Sequence, residues 1–170
     1  MGEAHTRGRA RLDTASLRSC LGRFATGVTV VTFDGPSGAH GITVNSFTAV
    51  SLEPPLVLVS VARRARSHDA LRGRPFCVNV LGAEQEAIAR RFAGGDASAV
   101  TWTDGTRAPR LAGALAHVEC RPWRDHECGD HTLFIGEVVD FRYRDGDALG
   151  FHTSRFMTIP DVQLGIESLT

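Results

Sequence analysis

The chain has no lysine, so all nineteen of its basic residues are arginines, and they meet nineteen acidic residues for a formal net charge of zero. That balance argues against the overall positive field with which nucleic-acid binders hold a phosphate backbone. Four cysteines, Cys20, Cys77, Cys120 and Cys128, lie scattered without a CxxC pair, so the sequence encodes no disulfide framework and the thiols are expected to be reduced. No apolar run approaches the roughly 20 residues that cross a bilayer, and no N-terminal stretch joins a charged region, an apolar core and a cleavage site. The expectation is a cytoplasmic protein with no membrane and no nucleic-acid partner. A GxGxxG turn between strand and helix is missing as well, which excludes a Rossmann dinucleotide site.

What is present divides into short segments. A chain of 170 residues folding as a single domain buries about 70% of the surface its unfolded form exposes and needs no staple. The polar, Gly/Arg-rich start predicts a disordered leader over 1–13, followed by one domain over 14–170. Leu17, Cys20, Leu21 and Phe24 fall at i, i+3, i+4 and i+7 after a cap at Thr14, predicting a short helix that packs on the rest. GVTVVTF (27–33) and residues 40–44 flank turn formers at 34–38 and predict a hairpin. Strands are also predicted at 55–62, 75–81, 114–123 and 132–143, with a short last one near 151–159. A single helical turn is predicted at 67–71, a second helix at 83–92 and a loop at 94–109. Many strands at hairpin spacing with few helices favour an antiparallel barrel.

The run from Gly41 to His68 joins polar loops to a buried strand. Pro54 and Pro55 stop any helix from entering the apolar stretch 55–61. Thr43, Val44, Asn45 and Ser46 precede it, and Arg63, Arg64, Arg66, Ser67 and His68 follow it. Short hydroxyls, an amide and backbone N–H groups suit a planar polar ring, and arginine with serine suits a phosphate. The bland alternative is a turn followed by a solvated helix start. Asn79 stands inside an apolar strand, where it must bond either a ligand or a neighbouring loop, and the loop is favoured. His126, Cys128 and His131 are metal-capable residue types, but their placement around a Gly-Asp turn does not form a closed site, and no metal is expected.

The segments GVTVVTF, GITVNSFTAVSLEPPLVLVSV (41–61), FCVNVL (76–81), ARRFAG (89–94) and GDHTLFIGEVVDF (129–141) follow one another as in the short-chain flavin reductase family, which the chain resembles over roughly residues 15–159. The resemblance implies a mainly β fold, the FMN-binding split barrel, an antiparallel Greek-key-type barrel with a few short flanking helices. It implies an NAD(P)H:flavin oxidoreductase that passes a hydride from NADH or NADPH to FMN or FAD and supplies reduced flavin to a flavin-dependent monooxygenase, working as a homodimer. Two other readings stay open: a flavoprotein with tightly bound FMN acting directly on an organic substrate, and a non-catalytic flavin carrier. By resemblance, Thr43, Val44, Asn45 and Ser46 line the flavin ring and ribityl chain, with Ser60 and Val61 opposite. Arg66, Ser67 and His68 stand where the family grips the flavin phosphate. Arg91 matches the family's Arg-Phe pair, as a phosphate contact or as a side chain lying over Phe92. His131, in the Gly-Asp-His motif, is assigned to the nicotinamide dinucleotide, with His152, Arg155 and Phe156 closing over it. Thr153 and Ser154 replace the family's usual basic residue and glycine. No catalytic residue is strictly required, because the cofactors carry the chemistry.

Overall fold

The structure, a computed structural model, describes residues 12–94 and 100–162. Most of the expected leader, 1–11, lies outside them. In chain order the elements are α1 (Thr14–Leu21), β1 (Thr26–Gly27), β2 (Thr29–Gly35), β3 (Gly38–Val44), β4 (Thr48–Leu52), β5 (Pro55–Ala62), α2 (His68–Leu71), β6 (Phe76–Val80), a 3-10 turn (Ala83–Gln85), α3 (Glu86–Phe92), β7 (Trp102–Thr103), β8 (Arg110–Leu111), β9 (Ala116–Cys128), β10 (His131–Tyr143), β11 (Ala148–His152) and β12 (Arg155–Ile159). Among the described residues no helix is long and apolar enough to cross a membrane.

Seven strands form one antiparallel sheet in the order β3-β2-β6-β9-β10-β5-β4. The sheet curls so that β3 approaches β5, and it stops short of closure, which makes it a split barrel. Residues 29–33 of β2 are all buried because the strand has a core on each face. Val31 and Phe33 point to the barrel interior with Val57, Val59, Val61, Phe76 and Phe134. Val30 points outward, under Leu81, Ala89, Phe92 and Leu149. Burial on both faces explains why GVTVVTF lacks the alternation of a half-solvated strand. β5 does alternate, with Val57, Val59 and Val61 inside.

Four elements differ from the sequence reading. The N-cap of α1 is Asp13, whose carboxylate accepts from Ala15 and Ser16 N–H, rather than Thr14. No residue of α1 is buried; instead of packing on the barrel, its Leu21, with Phe24 beyond it at 79% exposed, borders an open cleft. β9 runs on to Cys128, so the polar segment after Trp123 is strand, and the turn is only Gly129 and Asp130, with Gly129 at φ +62°. The last strand is a hairpin, β11–β12, which joins β1 in a separate three-stranded sheet. The expected loop over 94–109 contains β7, which pairs with β8.

Asn79, fully buried, donates to Val30 O at 2.8 Å and accepts from Leu111 N–H at 2.8 Å, so it pins the segment leading into β9. Cys77 and Cys120 are buried, and desolvation pushes both thiols up to about 12, while Cys20 and Cys128 are exposed. Since the thiolate is the reactive form, an aromatic disulfide reagent at neutral pH is expected to titrate Cys20 and Cys128 in the folded protein and all four cysteines after denaturation.

Candidate functional site

The edge strand β3 organises the site. Its Gly41 faces the Phe92 ring, where an added Cβ would come within 2.7 Å, and the Thr43 hydroxyl donates to Ala89 O at 2.7 Å. These two contacts seat α3 on β3 and bring Arg91 to the edge of a cleft of about 540 Å³. That cleft fills the split in the barrel, between β3 (His40, Gly41, Thr43) and the turn after β5 (Ala62, Arg64, Arg66, Ser67). Two residues beyond Thr43, Asn45 and Ser46 enter a second cleft, of about 920 Å³, walled by Phe24, Phe47 and Phe151 and floored by Thr26 and Gly27. The polar end of β3 therefore runs from one cleft into the other.

The two clefts differ chemically. The smaller one is lined by Arg64, Arg66 and Arg91 beside Phe92 and the larger one by three phenylalanines beside Arg18, and among the described residues no carboxylate lines either. An anion fits the first, where guanidinium groups bond phosphate oxygens bidentately. A flat ring fits the second. Among the described residues, the buried side-chain polar atoms without a partner are Thr26 Oγ1 and His40 Nε2, and each belongs to a residue lining one of these clefts. Unmet polar atoms at a cleft wall are what a polar ligand would satisfy.

The residues singled out from the sequence do not all sit as expected. Thr43, Asn45, Ser46, Arg66, Ser67 and Arg91 line the clefts. The Ser46 hydroxyl, however, donates to Ser60 O at 2.9 Å and accepts from Ser60 N–H at 3.0 Å, so these two residues bind each other and hold the end of β3 against β5. The side chains of Val44 and Val61 are in the core, leaving only their main chain to meet a ligand. His68 is 3% exposed, with its ring turned inward, away from a phosphate.

His131 opens β10 beside Ala62 and Cys128. Its Nδ1 lies 2.7 Å from Asp130 Oδ1, and this hydrogen bond holds the Asp130 carboxyl below its usual range. The lowered value means the tie is intact above the ordinary carboxylate range and is lost as pH falls through Asp130's own pKa. His152, Arg155 and Phe156 are on the other sheet and line neither cleft; their hairpin reaches the larger cleft only through Phe151 and Ser154, with Phe156 meeting Phe151 edge-on at 5.3 Å and the Arg90 guanidinium 4.9 Å above the Phe156 ring. One chain thus does not gather His131 and the hairpin on one sheet. Among the described residues His131, Cys128 and His126 join no metal-ligating group.

Sequence reasoning passed over Phe24, Thr26 and His40. The link between α1 and β2 carries no motif, and His40 sits next to turn formers that claimed the reading. The β11–β12 turn was also hidden. Thr153 and Ser154 have φ of 47° and 62°, the left-handed pair of a two-residue hairpin turn that Asn and Gly normally occupy. This geometry explains why the resembling family uses glycine at the second position. Ser154→Gly is expected to stabilise the protein by about 1 kcal/mol, seen as a higher urea midpoint with unchanged slope.

An unclosed antiparallel barrel whose polar edge strand joins an arginine-lined cleft to an aromatic one defines a flavin-binding split-barrel protein. A model of the flavin reductase like domain matches residues 21–160, and the chain belongs to that family. It is 46% identical over 165 residues to an NADH-dependent FAD reductase of Streptomyces globisporus, covering 90% of each chain. It is 43% identical over 148 residues to the FMN reductase (NADH) SmoA of Agrobacterium fabrum, covering 85% of each. Among solved structures, BorF, the flavin reductase component of a bacterial two-component tryptophan halogenase, superimposes with a TM-score of 0.81 at 42% identity over 88% of this chain and 100% of that one.

Proposed function

We propose that the protein is an NAD(P)H:flavin oxidoreductase that reduces FMN or FAD with NADH, or NADPH, and releases the reduced flavin to a separate flavin-dependent monooxygenase. The observation that carries this reading is the course of β3 from an arginine-lined cleft, with no carboxylate among its described lining residues, into an aromatic one. Relatives that are NADH-dependent FMN and FAD reductases support it, as does the reductase component of a 4-nitrophenol monooxygenase from Rhodococcus opacus, 38% identical over 149 residues.

When both are bound, the nicotinamide supplies a hydride and the flavin accepts it, which needs no acid or base from the protein. The chain's part is geometric. Arg66, Ser67 and Arg91 hold the phosphate end, Asn45 offers its amide along the polar edge of the ring beside Thr43, whose hydroxyl donates to Ala89 O and so leaves only its oxygen as an acceptor, and the phenylalanines of the larger cleft exclude water. Ser46 and Ser60 fix the spacing between β3 and β5 on which that geometry depends. His131, His152, Arg155 and Phe156 hold the dinucleotide. Because His131 and the hairpin stand on different sheets, a homodimer in which a second copy completes the site accounts for both. The exposed apolar residues Leu52, Phe24, Phe141 and Tyr143 give such a dimer surface to bury. Sedimentation should return twice the mass of the chain. Free thiols and a nicotinamide substrate suit the cytoplasm.

The test is the decay of nicotinamide absorbance with each of FMN, FAD and riboflavin added in excess. Turnover that depends on added flavin supports the reductase. Flavin binding by fluorescence quenching without nicotinamide consumption overturns it in favour of a carrier.

A further inference from the structure

His68 begins α2 immediately after Arg66 and Ser67, yet its imidazole belongs to the barrel interior. Nδ1 lies 2.7 Å from Asp69 Oδ1, and Nε2 lies 2.8 Å from Thr132 Oγ1. The ring meets Phe134 edge-on at 5.5 Å. An ionised carboxylate only accepts, so in the tautomer with Nδ1–H the Nε2 accepts from the Thr132 hydroxyl. Thr132 is fully buried and is the neighbour of His131. A second tie lies close by, from Arg63 N–H to Asp130 O at 2.9 Å. The turn that presents Arg64, Arg66 and Ser67 is therefore fastened at both ends to the segment that contains His131, by a main-chain bond at Arg63 and by the imidazole at His68.

We propose that His68 is a positioning residue which, through Thr132, locks the arginine turn of the smaller cleft to the start of β10, so that the flavin-phosphate grip and His131 keep a fixed separation. The proposal rests on the reductase function above. It gives the buried ring a role that direct phosphate contact cannot, since the imidazole is turned away from the cleft. Because one tie serves both halves of the site, loosening it must weaken flavin and nicotinamide binding together. A side chain that only filled the core would lower stability and leave both constants alone.

Three variants separate these roles: Thr132→Val, which strips the hydroxyl and keeps the shape; His68→Leu, which removes both ring nitrogens; and His68→Gln, whose amide reaches the place of Nε2. Flavin and nicotinamide KM, kcat and thermal midpoint are measured for each beside the unaltered protein. A hydrogen bond of ordinary net strength corresponds to about five- to tenfold. Thr132→Val and His68→Leu are expected to raise both KM values by about that factor with kcat little changed, the double variant to be no worse than His68→Leu, and His68→Gln to stay within about twofold of the original. Unaltered KM values in Thr132→Val, with a lowered thermal midpoint, overturn the positioning role even if His68→Leu does not fold. Absence of flavin-dependent turnover in the unaltered protein strikes the reductase reading itself, and the positioning role falls with it. Normal turnover with unchanged constants in the variants strikes the positioning role alone.

Discussion

Arg66→Ala raises the KM for FMN or FAD by about ten- to a hundredfold, the equivalent of one charge-assisted contact, and leaves the KM for riboflavin, already the larger for want of a phosphate, almost untouched. The selectivity is the argument. Arg66 lies in the smaller cleft with Arg64, Ser67 and Arg91, while Phe24, Phe47 and Phe151 surround the larger one. A flavin without a phosphate has nothing for Arg66 to hold. Arg66→Lys should recover only part of the loss, because an ammonium group cannot reproduce the bidentate fork of a guanidinium. The effect should also shrink as salt rises, since an open cleft is screened by ions. Equal losses with FMN and riboflavin would instead mean that the substitution distorts the whole turn after β5.

Arg110→Met is the substitution expected to cost most stability, about 3–5 kcal/mol. Glu119 is 0% exposed, and its carboxylate accepts from Arg110 Nε at 2.6 Å, from Thr106 N–H at 2.9 Å and from Arg107 N–H at 2.8 Å. Arg110 also donates to Asp140, which holds that carboxyl below its usual range. Removing the guanidinium leaves a buried carboxylate whose remaining partners are two backbone amides, an uncompensated charge in the sheet. For a domain of this size each kcal/mol moves the thermal midpoint by about 2–4 °C, so a fall near 10 °C is expected. The double change Arg110→Met with Glu119→Gln should regain a large part of that, because the charge that needed a partner has gone. Both residues lie outside the two clefts, so KM values of the folded variant should not move. A midpoint lowered by the single and double changes alike would show that packing at Arg110, rather than charge, is what matters.

How far the sequence foretold the molecule depends on whether a feature is local. The β2–β3 hairpin was legible because turn formers sit between two strand-like runs, and the pairing of Gly35 with Gly38 follows from them. β5 was legible from its prolines and its apolar run. The covering of α1 was not, because periodicity reports which side of a helix is apolar and says nothing of what lies against it. The end of β9 was misread since its polar residues 124–128 resemble loop, although no breaker occurs before Gly129. The β11–β12 hairpin was hidden because Thr153 and Ser154 adopt left-handed backbone without the residues that announce it.

The same distinction runs through the site. Donor-rich segments at 43–46 and 63–68 were visible, and the fold does bring Thr43, Arg66, Ser67 and Arg91 to one cleft. Which of these donors are already spent was not visible. Ser46 satisfies Ser60, and His68 satisfies Thr132, and both pairings span long stretches of chain that only the folded sheet brings together.

The most direct test of the account is an anaerobic bleaching experiment, in which the protein is mixed with a large excess of FMN or FAD and then with NADH while flavin absorbance near 450 nm is followed. If reduced flavin leaves the clefts, absorbance falls steadily until many flavins per chain have been reduced. Bleaching that stops at one flavin per chain would contradict the release step and make this a flavoprotein with a retained cofactor, and no bleaching at all would contradict the reductase.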